Sequence, residues 1–474
     1  MQRSRKALMP LLVLLSAVAF AQPADRYSAD QVDFELGISG AVVENSWNQL
    51  RLVLRDLPPV EFDLRIDQGS LRSGSIPLVY SASIGSSRGL TVFEDEVFIP
   101  AWTSLTWSLR SADRTIASGS LDPRLRDDRP LTLLLSNEPG GWLASLPPTA
   151  RALEVVAGEL PQGAAAYSGV AALIVDGTAT APTLESVVRA ATAGAVVILA
   201  GPLPPSHRAL EQVYGSGSVH RLGAGWIVST GREGVGPALA RYQGFPVQGA
   251  ATALLSGGEE AEGPHLSRMT IVAAGALYSL AVLLLLRFGG PAGVSAALVV
   301  AALTAFAGWL VLRPEQAVLE EERTLVISTG GLGLSVPSLA IRSLPGGEVV
   351  VDAQMRLGER VAYEVGEGTT TLTLERWQRQ LLLGKPAIAN GSLRWSNGKL
   401  ENQGPTTLRQ VLVLGLGPQP PLEPGTVRDA APSEELASPE AYGDLLELLP
   451  AGTAVAHDGS RYLVALPPHP GGSL

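Results

Sequence analysis

The chain contains no cysteine. That one absence excludes disulfides, thiolate metal sites and a cysteine nucleophile together. Lysine is nearly missing too, with only Lys6, Lys385 and Lys399, and this skew by itself indicates no function. Acid exceeds base: there are 35 basic and 45 acidic residues, and with Arg3, Arg5 and Lys6 set aside the remainder carries a net charge of −13. A surface of that sign repels nucleic acid and offers anionic lipid no basic patch, so nucleic acid is excluded as a partner. His220 and His265 have no neighbour at metal-ligand spacing and read as surface or core histidines. Neither a metal nor any other cofactor is expected.

The basic residues set aside belong to a segment of their own. Arg3, Arg5 and Lys6 precede an apolar run from Ala7 to Ala19 that closes on Ala19-Phe20-Ala21. A basic start, a short apolar run and small residues at its end make a secretory signal, residues 1–21, cleaved after Ala21. A retained signal anchor is the alternative.

Two longer uncharged runs follow, Met269 to Leu286 and Ala292 to Leu312. Each has about the 20 residues that a membrane-crossing helix needs. Only Arg287-Phe288-Gly289-Gly290-Pro291 separates them, so the expectation is a transmembrane hairpin over 268–313. Both flanking regions then lie on the outer side of the cytoplasmic (inner) membrane, with the lipid bilayer and another envelope protein as partners. Ala297, Ala301 and Ala305 recur every fourth position, a spacing that lets helices approach closely. No ionisable residue interrupts either run, so no ion pathway is indicated.

Residues 25–128 show short alternating segments such as Gln49-Leu50-Arg51-Leu52-Val53-Leu54, broken by turn residues, and read as a β-sandwich. Trp47, Trp102 and Trp107 fit core packing, with sugar stacking as the alternative. From 129 to 255 the texture changes. Leu131 to Leu135, Leu153 to Val156, Ala171 to Val175 and Ala195 to Leu199 are largely apolar runs of the kind buried on both faces of a parallel sheet. Leu184, Val187, Val188 and Ala191 share one helical face before Gly194, and a second helix is expected after Pro205. Trp226 to Ser229 reads as a further strand. The segment is expected to be a doubly wound α/β domain.

The strings Tyr167-Ser168-Gly169-Val170-Ala171-Ala172-Leu173-Ile174-Val175-Asp176-Gly177 and Ala193-Gly194-Ala195-Val196-Val197-Ile198-Leu199-Ala200-Gly201-Pro202, with the helix between them, carry a resemblance. The chain resembles a family of uncharacterised bacterial membrane proteins in which a glutamine amidotransferase-like (flavodoxin-like) domain lies between β-domains. The resemblance implies that order of domains along most of the chain. It does not bring catalysis with it: the turn Ala200-Gly201-Pro202-Leu203-Pro204-Pro205-Ser206-His207 has no cysteine and no Gly-x-Cys-x-Gly elbow. Ser206, after Pro-Pro, reads as a helix cap rather than as a nucleophile paired with His207.

Open α/β sheets bind ligands at the carboxyl ends of their strands. That places a candidate ligand site at Asn137, Glu138, Asp176 and Gly201, with Trp142 closing over a ligand or sealing the sheet. Asp176-Gly177 is also an ordinary turn pair. Gly215-Ser216-Gly217 and Gly223-Ala224-Gly225 lack the following helix of a phosphate cradle and read as loops.

Beyond the hairpin, Glu320-Glu321-Glu322 reads as a solvated face beside the membrane. Alternating segments resume, and Asn390-Gly391 and Asn397-Gly398 each signal a hairpin turn. Residues 318–428 are expected as a second β-sandwich, and 429–474 as a linker with a small packed tail. The expected function is that of a non-catalytic, membrane-anchored envelope protein that binds or scaffolds a partner or ligand. A hydrolase with an unrecognised Ser or Asp, and a carbohydrate-binding module, are the alternatives.

Overall fold

Alternation of apolar and polar residues builds the first sheet. In Ser46–Arg55, Leu50, Leu52 and Leu54 are buried while Arg51 and Arg55 are exposed, the period-two pattern of a strand with one face on a core. This strand lies between Val32–Leu36 and Leu90–Ile99, antiparallel to both. The structure is a computed structural model that describes residues 31–69, 78–87, 89–100, 104–112, 114–121, 126–138, 142, 146–147, 150–177, 182–201, 218–256, parts of 278–301, 318–343, 347–351, 355–357, 363–365, 369–374, 379–396, 398–433, 442 and 444–468. The expected signal at 1–21, the helix after Pro205, Trp102 and His265 lie outside the described residues.

Facing this sheet, Leu78–Gly85, Glu61–Gly69, Ser104–Ser111 and Arg114–Ser120 pair antiparallel in that order. Beyond Leu78–Gly85 the same sheet continues into Tyr363–Val365, Thr370–Leu374 and Gly347–Val351. One core serves both parts of the chain, with Leu50, Phe62 and Ile66 packed beside Ile341, Leu372 and Leu382. The two β-regions expected at 25–128 and 318–428 therefore interlock. Parallel pairing of Tyr363–Val365 with Leu78 to Tyr80 covers an edge that would otherwise offer unpaired backbone groups.

The second large sheet is built on a hairpin of Val318–Thr329 and Leu332–Ser343, which turns through Gly330 and Gly331 at φ +69° and +97°. Two consecutive positive φ angles are what a two-residue hairpin loop demands. Arg461–Ala465 runs parallel beside Val318–Thr329, and Ala454–His457 pairs with it in turn. The segment 429–474 is thus no appendage: it supplies two strands inside the sheet. Of the two Asn-Gly signals, Asn397-Gly398 joins the antiparallel strands Leu393–Ser396 and Lys399–Asn402. Asn390-Gly391 instead hands the chain from one sheet to another, and the Gly391 N–H donates to the Gly331 carbonyl at 3.0 Å.

Between these regions stands a third sheet of six strands: β1 Leu131–Leu135, β2 Arg151–Glu154, β3 Val170–Asp176, β4 Val196–Ala200, β5 Val219–Leu222 and β6 Gly225–Thr230. Their order is β2-β1-β3-β4-β6-β5, parallel throughout except for the edge strand β5. The helix α1, Leu184–Thr192, buries Val187, Ala190 and Ala191 against one face. Thr183 caps it by accepting from the Ser186 N–H at 3.1 Å. Thr183→Ala should lower stability by about 1 kcal/mol, read as a reduced urea midpoint at unchanged slope. The opposite face is met by the seven-residue α2, Val235–Arg241, and by Trp142.

Two expectations are corrected here. The fold is predominantly β-structure and the doubly wound α/β reading does not hold. Among the described residues the links from β1 to β3 are loops and 3-10 turns apart from helical Trp142, and much of the α1 face is covered by Ile38, Ala41 and Val43 of the amino-terminal β-region. Those links carry Pro147, Pro148, Pro161 and Gly163, which disfavour long helices, and among their described residues only Trp142 is α-helical. The transmembrane hairpin is corrected as well, and with it the transmembrane anchor in the inner membrane. Among the described residues no helix is long and apolar enough to cross a membrane. Much of 268–313 lies outside the described residues; helical positions within it expose Leu280, Leu283 and Leu284.

A third helix, α3 at Val247–Ser256, packs Ala250, Ala251 and Leu254 against Leu325 and Ile327 of the large sheet. The three regions also meet at a cluster of charge. Lys385 Nζ lies 2.8 Å from Asp95 and 3.2 Å from Glu96. Tyr80 donates to Asp95 at 2.7 Å, and Glu96 accepts the Ala166 N–H at 2.8 Å. Strand Leu90–Ile99, the turn before β3 and the carboxyl-terminal β-region are tied at one point.

Candidate functional site

Parallel register delivers the ends of β1, β3 and β4 to one edge. Leu135 is level with Val175, and Asp176 with Ala200, so the residues following each strand emerge side by side. Asp176 and Ser136 are brought into direct contact there, the Ser136 hydroxyl donating to Asp176 Oδ2 at 2.7 Å. The Trp142 indole N–H donates to the same oxygen at 2.9 Å. Ser136 Oγ in turn accepts the Glu138 N–H at 3.0 Å, which fixes the turn leaving β1.

Asn137 and Glu138 are exposed on that turn. Gly201 stands apart from them. Its N–H donates to the Thr230 carbonyl at 2.8 Å, its φ is +81°, and it lines a concavity of about 610 Å³ with Thr230 and Arg241, which Asn137, Glu138 and Asp176 do not reach. The four expected residues thus share one edge but divide into two places. Ser136 was not among them, although a hydroxyl residue directly after an apolar strand is the signal that would have found it.

Trp142 is 1% exposed, with the Arg232 guanidinium stacked 4.6 Å from its ring. It seals the sheet and orients Asp176. This carboxylate therefore positions the β1 loop: two donors, a hydroxyl and an indole, converge on Oδ2 in a largely apolar surround. Ser206 and His207 lie outside the described residues. His220 is exposed on β5.

Of the tryptophans named for sugar stacking, the two among the described residues are engaged elsewhere. Trp47 is buried against Phe98, and Trp107 stacks on Phe34 with centroids 4.4 Å apart. Among the described residues no group of three metal-ligating side chains comes together. Burial raises the Tyr167 hydroxyl above its ordinary value, and that hydroxyl donates to the Pro161 carbonyl at 3.2 Å. On the β5 edge, burial lowers Arg221 to about 10; its guanidinium lies 4.8 Å from the Trp226 ring and 3.5 Å from the Pro467 carbonyl. In comparisons with known proteins, no family model and no curated protein matches the chain.

Proposed function

We propose that the chain is a non-catalytic binding or scaffolding protein whose β-regions hold a partner protein in fixed relation to the parallel sheet. The observation that carries this reading is the commitment of Asp176. Oδ2 of this carboxylate accepts from both Ser136 and Trp142, so that oxygen is spent on fixing the β1 loop and is not aimed at a substrate proton. The interlocked β-regions add support, because a shared core and the Lys385 junction hold three parts of the chain in one arrangement. The resemblance to amidotransferase-like domains, with the nucleophile missing from its turn, is consistent with binding rather than turnover.

The test is a panel of ester, amide and glycoside substrates offered to the purified full chain, alongside Asp176→Asn and Ser136→Ala. No turnover above buffer is the expected result for all three. A turnover that falls by about 100-fold or more in Asp176→Asn, the usual contribution of a general base, would establish the hydrolase reading instead.

A further inference from the structure

The opposite, amino edge of the parallel sheet carries a cavity that no sequence motif announced. The chain enters β1 past Pro130, β3 at Val170 and β4 past Gly194, and the segment from Tyr242 to Gly249 folds back across these entries. A Cβ on Gly244 would stand 1.7 Å from the Gly194 carbonyl, so that segment sits directly on the turn before β4 and closes one end of the space. Leu334 and Pro386 of the carboxyl-terminal β-region close another side. The cleft, open to solvent on one side, has a volume of about 760 Å³, within the roughly 300–1,000 Å³ of clefts that take small molecules.

The wall chemistry narrows the occupant. No Asp, Glu, Lys or His is among the described residues of the lining. Its single charged residue, Arg129, is already bound to Asp127 at 2.9 Å. A phosphate or a metal ion would therefore find neither a free counter-charge nor ligands. What the lining offers is apolar surface from Val196, Leu239 and Phe245 together with the neutral amides of Gln243 and Gln248. Burial of apolar ligand area supplies affinity in such a site, and a few neutral polar groups set orientation.

We propose that this amino-edge cavity binds an uncharged, mainly apolar small molecule bearing a neutral hydrogen-bonding head, with Gln243 and Gln248 receiving the head. This site is separate from the Asp176 edge and stands whether or not the chain is catalytic.

The test uses the full chain and two fluorescent probes, uncharged N-phenyl-1-naphthylamine and anionic 8-anilinonaphthalene-1-sulfonate. Saturable binding of the neutral probe at one site is expected, at least about tenfold tighter than the sulfonate. Ala150→Trp and Gln248→Trp, which fill the space, should each weaken it by about tenfold or more, whereas Thr252→Trp, exposed on the same helix as Gln248, should not. Equal binding of the two probes overturns the proposal. So does undiminished binding in both filled variants, which would place the probe on the exposed leucines at 280–284. If the filled variants do not fold, photolabelling of the unaltered chain with an uncharged diazirine decides: label within 242–249 supports the site, and label confined to other segments overturns it.

Discussion

Replacing Lys385 by Met is expected to destabilise the chain by about 3 kcal/mol at neutral pH, the scale seen when one partner of a buried ion cluster is removed. The loss arises because Asp95 and Glu96 remain in place: their side chains are 14% and 10% exposed and would be left with no cation beside them. Lys385→Arg retains the charge and should recover most of the difference. The measurement is urea unfolding of the three proteins, and a change under about 1 kcal/mol would assign the cluster to the class of weak surface pairs.

The same cluster sets a pH dependence. Burial alone would raise the Asp95 carboxyl, but the hydrogen bonds from Lys385 and Tyr80 outweigh it and hold the group below its ordinary 3.8. Burial would likewise lower Lys385, yet its hydrogen bond to Asp95 and the charge of Glu96 hold it above 10.5. The depressed acid contributes stability that is present above pH 3.8 and lost as pH falls through its lower folded value. The raised base contributes stability that is complete below pH 10.5 and lost as pH climbs through its higher folded value. Between those limits this contribution is flat, and Lys385→Met should remove the alkaline loss.

Trp142→Ala is expected to cost about 4 kcal/mol, as deletions of large buried aromatics do. The residue is 1% exposed, packs with Leu134, Ile174 and Ile198, and donates to Asp176. Trp142→Phe separates the two contributions. It keeps most of the apolar volume and leaves Asp176 without the indole donor, so a cost of about 1–2 kcal/mol is expected. Equal losses in the two variants would mean that the hydrogen bond, not the packing, holds the β1 loop down; guanidinium titration followed by far-ultraviolet circular dichroism reads both.

These residues also mark where the sequence was legible. Leu131 to Leu135 and Val196 to Ala200 announce buried parallel strands because a strand covered on both faces needs apolar residues at every position. Asp176 was placed at the right edge by the same logic. Ser136 was missed although it directly follows an apolar strand; its partner Asp176, 40 residues on, is fixed only by the register. Thr370–Leu374 alternates equally well in any sheet, so nothing in its residues told that it extends the amino-terminal one. Lys385 carried no motif at all. The helical layers were expected from the apolar strands alone, and the apolar runs at 269–312 met a length criterion, whereas no helix among the described residues is long and apolar enough to cross a membrane.

The parallel pairing of Val318–Thr329 with Arg461–Ala465 also bears on the order in which the protein is made. One side of Val318–Thr329 closes at once on its hairpin partner, but the other stays open until Ala465 has left the ribosome. At about 5–20 residues per second that delay is on the order of ten seconds, during which a nascent strand displays an unpaired edge. Open edges recruit the strands of other chains, and charge on the edge discourages them. Glu320, Glu321 and Glu322 lie within this strand, just ahead of the residues that wait for Arg461–Ala465. Charge of one sign along a strand disfavours pairing with a second copy of it, and the sequence supplies that charge at the point where this strand waits longest.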